Sequence, residues 1–248
     1  MGVRNIFKIL IMCALMIFAV YSSYMDTMQR LNLKYQLTHN VATNFNSELN
    51  ISINSAVKVL SSTGFYESDG VTAASTGTYF TYKNYNSILT TAHSLVGPCE
   101  TTVIIADTYM FHCLNLILFD PLNDYAIFQV EEVFNRIPIT IDEFLYDEKE
   151  TILNTGVHQN IIYTGYPQGI GPLTFDGKIV SHKHENGIFY VNSYAWSGSS
   201  GSGVFNRDGK LLGIITAVSV ANTEHGVDVM EDLIIVTPLN ILDFIGTL

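Results

Sequence analysis

Trp196-Ser197-Gly198-Ser199-Ser200-Gly201-Ser202-Gly203-Val204-Phe205 lies between two apolar, strand-forming runs, Ile188-Phe189-Tyr190-Val191 and Leu211-Leu212-Gly213-Ile214-Ile215. Gly/Ser runs are ordinarily loops. A serine framed by glycines between strands also lets the backbone turn sharply and aim N–H groups into one small space. An exposed hydroxyl beside such donors is what acyl transfer requires. Alone, the stretch reads more readily as a hairpin loop; two motifs upstream reverse that reading.

Working outward, short β-type runs begin at Ile51. Ser55–Leu60 reads as a strand and Gly64–Ser75 as a Gly/Ser/Thr-rich loop. Gly77–Tyr82 and Ser87–Thr91 form a hairpin around Lys83-Asn84-Tyr85-Asn86, Thr101–Ile105 and Tyr109–Phe119 a second around Asp107, and Tyr125–Val130 a sixth strand. Six short strands with turn punctuation predict a small antiparallel barrel or sandwich. Two motifs sit on this frame. Thr91-Ala92-His93 follows a strand directly, although a lone histidine there is more often structural. In Asp120-Pro121-Leu122-Asn123-Asp124, Asp120 serves the turn, which leaves Asp124, at the start of an apolar strand, free to hold an imidazole.

His93, Asp124 and Ser200 therefore occur in the order His, Asp, Ser, which is the chymotrypsin order. Across residues 55–248 the sequence resembles the trypsin-like serine peptidases, most nearly the peptidase domain of the bacterial Deg/HtrA type. The resemblance rests on Gly77–Phe80, Ile88–His93, Asp120–Phe128, Gly198–Val204, Gly209–Ile214 and Ile234–Pro238. It implies an all-β fold of two six-stranded antiparallel barrels with the three residues in the cleft between them. The first barrel would span about 51–130, a linker about 131–158, and the second barrel about 159–248, closing in a short helix over Leu239–Gly246. In the second barrel, Ile161–Pro167 and Lys178–Ser181 supply the first strands. Glu131–Glu150 carries seven acidic residues against Arg136 and Lys149, and reads as a solvated face. Two positions depart from the family pattern. Ser202 replaces a glycine, as in the glutamyl endopeptidases. Gly203 replaces a proline, which is expected to loosen the following strand. No PDZ-type domain is expected after the peptidase domain.

The resemblance implies peptide-bond hydrolysis of polypeptide substrates with no cofactor or metal. Ser200 would be the nucleophile, His93 the general base and Asp124 the group that orients the imidazole. The N–H groups of Gly198 and Ser200 would form the oxyanion hole. Ser193–Ser197 and Ile214–Ser219 would wall the primary pocket, with Tyr194, Ala195, Thr216, Ala217 and Val218 contacting substrate and Tyr194 filling the base. Neither wall contains Asp or Glu, and Ile215 stands where the glutamyl branch has histidine. Burying an unpartnered charge there costs several kcal/mol or more, whereas an aliphatic side chain gains about 1.5–3 kcal/mol. Cleavage after Ala, Val or Ile is expected. The rival reading is a catalytically silent trypsin-fold binding module; all three residue types being present argues against it.

Composition bounds the rest. The chain has 248 residues and a net charge of -11, with 48% hydrophobic and 14% charged residues, which excludes a disordered chain. No Lys/Arg cluster marks a nucleic-acid surface. Arg4 and Lys8 precede an apolar run, Ile9–Tyr21, so residues 1–23 read as a signal peptide or signal anchor. Export, with membrane attachment through the N-terminus as one form, is expected. Residues 24–50 read as a helical or disordered stalk, with Met25, Met28, Leu31 and Tyr35 at helical spacing. Asn50-Ile51-Ser52 is a glycosylation sequon. Cys99 and Cys113 fall near facing positions of the Asp107 hairpin, where a disulfide and two buried thiols both fit. His182 and His184 form a His-x-His pair without further ligands at metal-binding spacing. His39, His112, His158 and His225 have no assigned partner.

Overall fold

Along β2 (Thr72–Tyr82), β3 (Tyr85–Thr90) and β6 (Tyr125–Val130), apolar side chains point both ways. Side chains alternate faces along a strand, so such runs predict strands covered on both sides. In the computed structural model, Tyr79, Ile88 and Phe128 fill the interior of one barrel with Val57, Val59, Ile104, Phe111 and Val130. Their neighbours Phe80, Leu89 and Ile127 face the other way, against Phe205, Leu211 and Ile214 of a second barrel. The strand pattern thus builds one barrel and the interface that positions it.

The structure describes residues 47–64, 70–82, 85–140, 156–182, 188–223 and 226–238. All belong to one unit, Asn46–Leu248. The expected signal or anchor segment, most of the stalk, residues 141–155 of the linker and the Leu239–Gly246 helix lie outside the described residues, as do Cys13, His39, His184 and His225. Among the described residues no helix is long and apolar enough to cross a membrane.

The first barrel joins β1 (Ala56–Ser62), β4 (Thr102–Ala106), β5 (Tyr109–Asp120), β6, β3 and β2 in that order, and β1–β2 pairing closes it. The hairpin about Asp107 pairs Ala106 with Tyr109, as the turn signal predicts. A seventh strand, β7 (Ile139–Thr140), runs parallel to β2 inside the expected linker. The second barrel is closed in the order β10 (Phe189–Asn192), β13 (Gly226–Pro238), β12 (Leu211–Thr223), β11 (Gly203–Asn206), β8 (Asn160–Gly165) and β9 (Leu173–His182). Ile161, Tyr163, Ile179, Val191, Val204, Leu212, Ile215, Ile234 and Val236 are buried within it.

Two expectations are corrected. Thr72–Ser75 is strand, paired with β1 through Ser62↔Thr72 to Val59↔Ser75. Ser47–Ser55 is a helix, α1, crossing the expected stalk boundary, and the first strand starts at Ala56. α1 docks through Ile51 against the interface cluster and through a Ser52 Oγ bond to Thr164 Oγ1 of 2.8 Å. The sequon serine is therefore buried. Gly203 opens β11 opposite Ile214, and a Cβ there would lie 2.8 Å from Thr78 Oγ1 and 3.0 Å from Leu211 Cδ1.

The linker is held by Arg136. Its guanidinium is buried, donates to both carboxylate oxygens of Asp107 at 3.0 and 2.8 Å, and reaches Ala56 O at 2.8 Å and Tyr166 Oη at 3.3 Å. Hydrogen bonding from Arg136 outweighs partial burial and holds the Asp107 carboxyl below the usual carboxylate range.

Candidate active site

β3 ends at Thr90, and a single 3₁₀ turn, Ala92–Ser94, follows. The turn closes through Ser94 N–H to Thr91 O and the Thr91–Ser94 hydroxyl pair at 2.6 Å. Ala92 and Ser94 are buried, which leaves the His93 side chain between them half exposed. Asp120 accepts the N–H groups of Leu122 and Asn123 at 2.9 and 3.1 Å, closing the next turn as its sequence predicts. Asp124 follows in the left-handed region, φ 56°, which Asp tolerates better than most residues.

That conformation turns the Asp124 carboxylate back onto His93. One oxygen accepts the His93 backbone N–H at 3.0 Å, and the imidazole Nδ1 lies 2.7 and 3.0 Å from the two oxygens. A carboxylate can only accept, so Nδ1 carries the hydrogen and Nε2 is left as the acceptor. Nε2 lies 3.2 Å from Ser200 Oγ. His93 and Asp124 come from the first barrel and Ser200 from the second, so the cleft brings together all three residues the sequence singled out.

Around Ser200 the backbone is set by two glycines with positive φ, Gly198 at 95° and Gly201 at 86°. Ser199 N–H bonds Trp196 O at 2.9 Å, and Ser202 N–H bonds Ser199 O at 3.1 Å. Gly201 and Ile215 tie the loop to β12, Gly201 N–H to Ile215 O at 2.8 Å and Ile215 N–H to Ser202 O at 3.0 Å. Ser202, the glycine replacement, is wholly buried and caps Ser199 O with its hydroxyl at 2.7 Å. Among the described residues no protein acceptor engages the N–H of Gly198 or of Ser200. These are donors able to meet an oxyanion.

Of the expected pocket residues, Ala195 and Thr216 are buried, Val218 is half-buried and Ala217 is exposed. Tyr194 does not fill the base. The residue is 58% exposed, and its ring stacks on Trp196 at 6.0 Å. The residue that occupies the space behind the wall is Tyr163, which sequence reasoning placed only as a strand residue. It is wholly buried, stacks on Phe175 at 5.1 Å and donates its phenol to Tyr194 O. Burial pushes that phenol far above its ordinary range, so it remains a donor. The alternation Ile161-Ile162-Tyr163 was the available signal, since it points Tyr163 into the barrel. Cys99 and Cys113 are joined as a disulfide, Cα–Cα 5.2 Å, in the first-barrel cluster that Leu95 also joins. His182 ends β9 beside Phe189.

Residues 75–214, more than half of the chain, match the family model described as a trypsin-like peptidase domain. No curated protein matches the sequence. Among solved structures, the chain is similar to the serine endoprotease from Yersinia pestis at 17% identity and a TM-score of 0.60. That match covers 81% of this chain and 64% of the other, so the chain spans less than two thirds of that protein's length. It is also similar to the Rv3671c protease from M. tuberculosis. The active form matches at 16% identity and TM-score 0.57, covering 78% and 79% of the two chains. The inactive form matches at 15% and 0.58, covering 80% and 90%. At such identities the likeness carries the fold alone. Active and inactive forms match about equally, so the state of the site has to be read from its own hydrogen bonds.

Proposed function

The chain belongs to the trypsin-like peptidase family, and from that premise we propose that it is a serine endopeptidase acting through Ser200, His93 and Asp124. The observation that carries the reading is the unbroken hydrogen-bond line Asp124–His93–Ser200. Ser200 Oγ attacks the scissile carbonyl while Nε2 of His93 takes its proton. Asp124 holds the tautomer and stabilises the imidazolium. The N–H groups of Gly198 and Ser200 receive the charge on the carbonyl oxygen. The C–N bond then breaks, His93 returns the proton to the leaving amine, and an acyl ester remains on Ser200. Water, deprotonated by His93, attacks that ester and releases the second product.

The substrate side chain next to the cleaved bond would meet Ala195, Thr216, Ala217 and Val218, with Tyr163 limiting depth from behind. Small apolar residues such as Ala, Val or Ile suit these walls, which contain no carboxylate. Work outside the cytoplasm is part of the proposal. It rests on Arg4 and Lys8 preceding Ile9–Tyr21, and on a Cys99–Cys113 bridge needing an oxidising compartment. Residues 51–248 would be the peptidase domain, held to or released from the membrane by residues 1–23.

The test is labelling with a fluorophosphonate. The wild type should label and cleave unfolded casein, Ser200→Ala should do neither while staying folded, and cuts in a denatured proteome should fall after small apolar residues. A folded wild type that does not label refutes the peptidase reading; a majority of cuts after Lys, Arg or Glu refutes the pocket.

A further inference from the structure

We propose that Thr76 is the positioning residue of the oxyanion hole, clamping the nucleophile loop of the second barrel from a strand of the first. This rests on the peptidase reading and goes beyond it, because Thr76 lies outside the three reacting residues and is wholly buried.

A buried threonine must satisfy its backbone groups and its hydroxyl, or pay a desolvation penalty. Thr76 satisfies all of them through four bonds, three of them to the second barrel. Its N–H donates to Ser200 O at 2.9 Å, and its hydroxyl donates to Gly198 O at 2.8 Å. The same hydroxyl accepts the Tyr166 N–H at 2.9 Å. Its carbonyl accepts the Thr90 hydroxyl at 2.7 Å, which fixes Thr76 to its own barrel.

The two carbonyls it holds frame the proposed nucleophile. Gly198 matters most, because its own N–H is one of the two proposed oxyanion donors. At φ 95° and without a side chain, Gly198 has little of its own to resist rotation of the flanking peptide planes. Both planes are instead pinned from outside. On one side, Ser197 O accepts the Gln168 N–H at 2.5 Å. The N–H of a trans peptide points opposite its carbonyl, so this bond turns the Gly198 N–H away from Gln168. On the other side, the Thr76 hydroxyl holds Gly198 O. That hydroxyl also holds Tyr166, which leads into the turn carrying Gln168 (Pro167–Gly169). One oxygen thus ties together the two segments whose contact orients the Gly198 N–H. Only a group that both donates and accepts can do this, which valine of the same shape cannot.

The test compares Thr76→Val, which keeps the shape without the hydroxyl, with Thr76→Ser, which keeps the hydroxyl. Thr76→Val should lower kcat about 10- to 100-fold, less than or similar to loss of a whole oxyanion donor. KM should stay near the wild-type value, and the pH profile should keep its midpoint because the His93–Asp124 pair is untouched. Affinity for a peptide boronic acid, whose tetrahedral adduct uses the same donors, should fall in parallel with kcat. Thr76→Ser should stay within a few-fold of wild type. If Thr76→Val does not fold, Thr76→Ala carries the same expectation, and failure of both to fold would make the residue structural and overturn the inference. Wild-type kcat in a folded Thr76→Val overturns it too, as does a Thr76→Ser loss equal to that of valine. In those cases the active wild type leaves the peptidase reading standing. A folded wild type that neither labels nor cleaves overturns both.

Discussion

Replacing Gly201 by alanine tests the geometry at the point where the barrels are tightest. Gly201 has φ 86°, and an added Cβ would fall inside contact distance of the Thr76 carbonyl oxygen, 2.5 Å from Thr90 Oγ1 and 3.1 Å from Thr90 Cα. Two of these atoms are backbone, so no side-chain rotation relieves the clash. Holding alanine at positive φ costs about 1–2 kcal/mol, and overpacking adds about 1–3 kcal/mol. Relief requires moving Gly201 about 1 Å from β2, which stretches the Thr76–Ser200 bond and strips a buried carbonyl of its donor, about 1–3 kcal/mol more. Together these give about 3–8 kcal/mol, against a typical total of about 5–15 kcal/mol. Urea unfolding followed by tryptophan fluorescence is the assay, and the midpoint should fall by about 1–3 M. Where the variant is still folded, fluorophosphonate labelling should slow about 100-fold, as expected for a reacting group displaced by about 1 Å. Gly156 is the control: a Cβ there meets nothing within 4 Å, so Gly156→Ala should match or slightly exceed wild-type stability. A Gly201→Ala protein with wild-type midpoint and labelling rate would refute this account of how the loop is seated.

Three other outcomes follow from single groups. Asp124→Asn should lower kcat by about 10⁴-fold with the fold intact, because an amide NH₂ facing Nδ1 selects the tautomer whose Nε2 cannot accept the Ser200 proton; steady-state kinetics decide it, and a loss under tenfold counts against the assigned tautomer. Asp107 is held ionised by Arg136, so its contribution to stability is present above the ordinary carboxylate range and is lost as pH falls through its lowered folded value. Asp107→Asn should therefore lose less stability than wild type between about pH 5 and about pH 3, read from urea midpoints; the carboxylate is 44% exposed, so the difference will be small. Cys99 and Cys113 should resist alkylation under denaturing, non-reducing conditions, and an intact mass showing both alkylated in the purified protein rules the bridge out.

What the sequence disclosed, and what it hid, follows from how local each signal is. The Asp107 hairpin was legible because its turn and strands lie within one short stretch. The His, Asp and Ser positions were legible because each sits in a motif with its own strand context, although partners such as His93 and Ser200 are 107 residues apart. α1 was hidden because Ser47–Ser55 mixes Asn and Ser with few apolar residues, and its helix is held by contacts such as Ser52 with Thr164, 112 residues away. β7 has two residues, too few to show a period. Thr72–Ser75 misled for a physical reason. Small polar residues are the mark of a loop in isolation, but they are also what a closely approached interface needs when backbone carbonyls from another segment must be bonded. Thr76 meets Gly198 across 122 residues, so nothing near it in sequence announces the partner. The composition that concealed the start of β2 as a loop runs on into Thr76, which grips the loop bearing Ser200. The less legible half of β2 is, for that reason, the half that meets the loop bearing Ser200.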